Sequence, residues 1–205
     1  MILDTAFLIT AFAALFVVID PIGLTPLFVA LTKGADAKHR RGVAFRASVI
    51  GACILLAFAL FGEAVLGFIG ISMPAFQIAG GILLLLTALD MLFERRSKRR
   101  GKNVADMPDP SVFPLATPLI AGPGAIATVI LLMGQTNSPA GSIAVIGVML
   151  AVVAIVCLFF MAGGLLERIL GQIGIDVATR LLGMLLAALS VQFMINGIST
   201  VDWPF

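Results

Sequence analysis

Glu63-Ala64-Val65-Leu66-Gly67-Phe68-Ile69-Gly70-Ile71-Ser72 recurs as Glu167-Arg168-Ile169-Leu170-Gly171-Gln172-Ile173-Gly174-Ile175-Asp176, with six identities in ten at a constant offset of 104. The same offset carries Cys53 onto Cys157, and Gly80 meets Gly183 when one residue is gapped. Similarity at a fixed spacing points to a duplicated unit. Working outward, each copy holds three apolar runs of bilayer-spanning length, near 5–32, 43–65 and 71–93 in the first and near 113–135, 142–166 and 177–199 in the second. Three is odd, so the second copy enters the membrane with the opposite orientation, and the halves are related by a pseudo-two-fold axis in the membrane plane. The expected fold is an all-α membrane protein of six transmembrane helices, built as two inverted three-helix repeats.

Composition agrees with that solvent. Apolar residues fill 60% of the 205 positions and charged residues 12%, with a mean hydropathy of +1.15, far from the usage of a water-soluble domain. Six spans with short connections use the whole length as one transmembrane domain: repeat one over about 5–93, a basic loop over 94–112, repeat two over about 113–199. Nothing is left for a soluble catalytic domain or a nucleic-acid-binding module. The first run carries no basic n-region or small-residue cleavage site, which reads as a retained helix. Lys33, Lys38, Arg40, Arg41 and Arg46 lie between the first two runs, Arg95, Arg96, Lys98, Arg99, Arg100 and Lys102 between the third and fourth, and Arg168 and Arg180 around the fifth connection. All thirteen basic residues therefore fall on one side of a six-helix topology, which makes that side the cytoplasm and puts both termini outside.

The first and fourth runs are interrupted near their centres, by Asp20-Pro21-Ile22-Gly23-Leu24-Thr25-Pro26 and by Pro114-Leu115-Ala116-Thr117-Pro118 followed by Gly122-Pro123-Gly124. Proline removes a backbone donor and glycine relaxes the chain, so helices 1 and 4 are expected to be broken near the midplane. Hydrocarbon cannot satisfy such backbone, so the breaks should face protein or a water-filled cavity. Half-helices restarting at Pro21 and Pro123 would aim N–H groups and positive dipole ends inward, which suits a carboxylate. Asp20 is also what an N-cap before a proline should be, and capping does not exclude a further role. An ionisable group at mid-depth costs about 2.5–3.5 kcal/mol on insertion scales, so it normally pairs, protonates or lines a polar path.

Gln192 and Asn196 share one face of the last run and serve equally well as interhelical glue or as site residues. Asp90, beside the basic loop, is most simply paired at the interface. The single histidine, His39, lies in a loop, and the sequence holds no clustered Cys/His/acid set, phosphate loop or Gly-x-Ser-x-Gly motif. No enzyme activity, metal or cofactor is expected.

Three motifs in order, Asp20 to Phe28, Ile78-Ala79-Gly80-Gly81-Ile82-Leu83-Leu84, and Pro114 to Gly124, make the whole chain resemble the MarC family of bacterial inner-membrane proteins. The resemblance implies kinship with LysE-like exporters and, for some members, transport of neutral amino acids. Gln77 stands where the resemblance leads one to expect arginine, and Arg180 occupies the corresponding place in the second half.

The expected function is secondary transport of a small polar solute, a neutral amino acid being the leading candidate, with a proton as one candidate coupling ion. The expected site comprises Asp20, Pro21, Gly23, Thr25, Thr117, Gly122, Pro123, Gly124, Thr128 and Asn196. In it the amides around Pro21–Gly23 and Gly122–Gly124 receive a carboxylate, and Asp20 accepts an ammonium group or carries a proton. The expected partners are that solute, the lipid bilayer and, compatibly, further copies in a homo-oligomer, with no nucleic acid. The alternative is a non-transporting membrane scaffold or partner subunit whose broken helices are packing devices.

Overall fold

The computed structural model describes residues 5–93, 109–136 and 138–201, all of whose regular elements are helical. Most of the basic loop, residues 94–108, lies outside the described residues. The chain forms α1 (Thr5–Ile19), α2 (Pro21–Leu31), α3 (Ala37–Ile69), α4 (Met73–Leu92), α5 (Ser111–Ile120), α6 (Pro123–Gly134), α7 (Pro139–Met161) and α8 (Gly163–Ser199). Five stretches are long and apolar enough to cross a bilayer, one of them α1 with α2, and the bent pair α5–α6 makes six when taken as one span.

Caps set several boundaries. Asp36 accepts from the His39 amide at 2.7 Å, so α3 begins six residues earlier than the hydropathy suggests and takes Lys38 to Arg41 into its first turns. His39, expected in a loop, is therefore helical. Ser72 and Ser138 cap α4 and α7 through the amides of Ala75 and Gly141. The expected connection at 167–176 is helix as well: α8 runs through it, with a break at Gly171, whose φ of 62° and ψ of 172° suit only glycine.

Without a hydrophobic driving force between helices in lipid, close packing must hold them, and small residues allow it. α4 and α8 run antiparallel along their lengths. Gly197 lies against the Pro74 carbonyl and Ile78, Gly81 against the Ser190 carbonyl and Met194, and Gly183 against Met91 and the Ala88 carbonyl. α3 runs parallel to the α5–α6 pair, with Arg46 against Asp109, Gly51 against Ile120 and Gly62 against Ile130. The partnerships exchange between the halves: α3 packs on α5 and α6 while α7 packs on α1 and α2, and α4 packs on α6 while α8 packs on α2. Large apolar side chains such as Phe68, Ile143 and Ile173 point outward, as lipid-facing surfaces require.

Candidate functional site

Two discontinuities meet in the middle of this bundle. At the first, Asp20 joins α1 to α2 in the left-handed conformation (φ 57°, ψ 64°) and is 1% exposed. Asp is one of the few residues that visits this region without large strain, because its short polar side chain bonds locally. That bond is present: Asp20 Oδ1 accepts from the Gly23 amide at 3.0 Å. The amide that the sequence reading reserves for a solute carboxylate is thus already held by the chain's own carboxylate. Pro21 fills the N1 position, where its missing N–H costs nothing. Gly23 has no room for a side chain, because a Cβ would run into the Asp20 carboxylate and lie 2.9 Å from Thr179 Oγ1 on α8.

At the second, α5 is a wide helix closed by i→i+5 bonds, from the Leu115 amide to the Pro110 carbonyl at 3.2 Å and from the Ala121 amide to the Ala116 carbonyl at 2.9 Å. The backbone leaves helical geometry at Phe113, Thr117 and Pro118, and the peptide bonds before Pro114 and Pro118 are cis. α6 then restarts at Pro123, bent by 52° from α5. No side chain caps α6, so the positive end of its dipole is not offset as that of α2 is. Gly122 is obligatory, since a Cβ there would sit 2.5 Å from the Pro118 carbonyl.

The discontinuities are neighbours: a Cβ at Gly124 would touch Val18 at 3.0 Å, two residues before Asp20, and Leu84 at 3.2 Å. Thr25 and Thr128 are fully buried and occupy matching places, each donating at 2.8 Å to the carbonyl four residues back, Pro21 and Gly124. Their protons are therefore spent inside the helix, and only oxygen lone pairs remain for other contacts. Thr117 donates at 3.3 Å to the Val112 carbonyl. Asn196 is not part of this grouping: it accepts from Gln192 at 2.7 Å and lies about 25 Å further along α8 than Thr179, at 1.5 Å per residue.

Pro123 also borders a cleft of about 280 Å³ between α3, α4 and α6, with Phe58, Gly62, Phe76, Leu83 and Ile130 among its walls. The walls are apolar. Just before α5, Asp109 pairs with Arg46 of α3 at 3.3 Å and accepts from the Ser111 hydroxyl at 2.6 Å and amide at 2.9 Å. The Ser111 hydroxyl, then its amide, hold the Asp109 carboxyl below its usual range against its desolvation, with Arg46 and then His39 adding smaller pulls in the same downward direction. Among the described residues no three His, Cys, Asp or Glu side chains come together as a metal site would need.

Thr179 is the residue that sequence reasoning missed. A threonine inside an apolar helix carries no signal of its own, and only the packing of α8 on α2 brings it to the first discontinuity.

Comparison with known proteins follows the same outline. The profile described as MarC family integral membrane protein matches residues 5–201. A UPF0056 membrane protein of Methanocaldococcus jannaschii is 40% identical over 201 residues, covering 96% of this chain and 98% of its own length. One of Archaeoglobus fulgidus is 36% identical, over 95% of this chain and 93% of its own. YvbG of Bacillus subtilis, also a UPF0056 membrane protein, is 34% identical over 94% of each. No solved structure matches the chain.

Proposed function

The chain belongs to the MarC family of integral membrane proteins, and from the geometry of its two discontinuities we propose that it is a secondary transporter of a small polar solute, with a neutral amino acid as the leading candidate. The observation that carries this reading is the buried carboxylate of Asp20 at the start of α2, set close to the uncapped start of α6 through the Val18–Gly124 contact. A zwitterion offers both complementary charges: its ammonium suits Asp20, and its carboxylate suits the amides at the start of α6.

The antiparallel α4–α8 seam and the exchanged partnerships support two inverted repeats of three spans with the discontinuities near the midplane, the architecture in which rocking of one repeat against the other gives alternating access. The basic residues then place the start of α3 on the cytoplasmic side of the cell's inner membrane and both termini outside. Asp20 takes up the solute ammonium or the coupling proton.

The scaffold reading draws its support from Thr25 and Thr128, which are fully buried with their protons bonded to their own helices. Exchange of labelled alanine in proteoliposomes separates the two. Purified protein should exchange internal unlabelled for external labelled alanine well above protein-free vesicles. Background exchange for alanine, glycine and the other neutral amino acids would contradict the transporter.

A further inference from the structure

Threonine inside a helix normally satisfies its hydroxyl on the carbonyl four residues back. Thr10, Thr25, Thr87 and Thr128 all do so here, at 2.8 to 3.0 Å. Thr179 does not. Its Oγ1 is buried, finds no hydrogen-bond partner among the described residues, and points across to α2, 2.9 Å from where a Cβ of Gly23 would sit. Asp20 Oδ2 crowds the same point. A buried hydroxyl without a partner costs about 1–3 kcal/mol, so its retention calls for a cause. Packing does not supply one. The offset of 103 that relates Gly80 to Gly183 relates Thr179 to Phe76, and in the first half an aromatic side chain fills that place beside Pro123.

We infer that Thr179 is a solute-binding residue which, together with the Asp20 carboxylate, receives the primary ammonium group of a zwitterionic solute. An ammonium has three donors and no acceptor, so one carboxylate leaves it incomplete, and a hydroxyl oxygen beside that carboxylate is a fitting second acceptor. Gly23 keeps the two oxygens in reach of one group, because any side chain there would push them apart. This assignment rests on the transporter reading and names the chemistry of its solute.

Alanine exchange by parent, Thr179→Val and Thr179→Ser in proteoliposomes tests it, with thermal unfolding of each variant in parallel. Thr179→Val keeps the shape and removes the hydroxyl, so its melting temperature should equal or exceed that of the parent while exchange falls about tenfold or more. Thr179→Ser restores the oxygen and should exchange within about threefold of the parent. Unlabelled lactate, which replaces the ammonium by a hydroxyl, should not compete with alanine. The inference is overturned if Thr179→Val exchanges like the parent, if it melts clearly lower because the hydroxyl holds the fold, or if lactate competes as well as alanine. A parent that exchanges no neutral amino acid overturns the transporter reading itself, whereas an active parent with an equally active Thr179→Val overturns this assignment alone.

Discussion

Asp20 combines a left-handed backbone with a capping side chain, and the two demands narrow what can replace it. Asparagine tolerates the same conformation and still accepts from the Gly23 amide, so Asp20→Asn should unfold within about 0.5 kcal/mol of the parent. Leucine meets neither demand, and Asp20→Leu should lose about 2 kcal/mol, read as a lower melting temperature in detergent. The capping role is legible in the sequence because Asp before Pro is a helix start. That the cap would occupy the Gly23 amide needs the folded backbone. The Arg46–Asp109 pair makes a separate, weaker claim. Its carboxyl has a folded pKa below the unfolded value, so its contribution is complete above about pH 5 and is lost as the pH falls through the lowered pKa. Both partners are about half exposed, at 51% and 47%, which limits the gain to roughly 1 kcal/mol or less. Asp109→Asn should therefore lower the neutral side of the melting profile slightly, by roughly 1 kcal/mol or less, and leave its acid end almost unchanged.

Among the elements, the α4–α8 seam depends on close approach. A Cβ at Gly81 would meet Met194 at 2.5 Å and the Ser190 carbonyl at 2.8 Å, and the carbonyl cannot rotate away as a side chain does. Gly81→Ala should cost about 1–3 kcal/mol. Gly147→Ala, in α7 with nothing within 4 Å of the added methyl, should be neutral or stabilise by up to about 1 kcal/mol. Equal melting temperatures for the two variants would contradict the packing described. Gly171→Ala probes the break in α8: a side chain at φ 62° and ψ 172° is strained by roughly 1–3 kcal/mol, so this variant should melt below the parent although the added methyl meets nothing. The existence and number of the long helices were readable from runs of apolar residues. The path of residues 167–176 was not, because polar residues there suggest a connection, while local bonds such as Gln172 to Asp176 at 2.9 Å favour continued helix.

For the molecule as a whole, the recurring decad and the clustered basic residues are the grounds in the sequence for the proposed inverted repeat and its orientation. The exchange of partners between halves, and with it the placing of Thr179 beside Asp20 and of Asn196 far from it, arises from three-dimensional packing that no local pattern encodes. Orientation has a direct check: alkaline phosphatase fused after Phe205 should be active, and a fusion near Lys102 silent, with the reverse pattern contradicting the inverted repeat as drawn. The central claim, however, is that the two discontinuities line a path open to water and solute, and thiol accessibility tests it most directly. With Cys53 and Cys157 replaced by serine, single cysteines at Ile22 and Ala125 should react with a membrane-impermeant thiol reagent from at least one side, and alanine should slow the reaction. Complete protection of both positions from both sides, in protein whose Gly34→Cys control reacts normally, would show the breaks to be sealed and contradict the account.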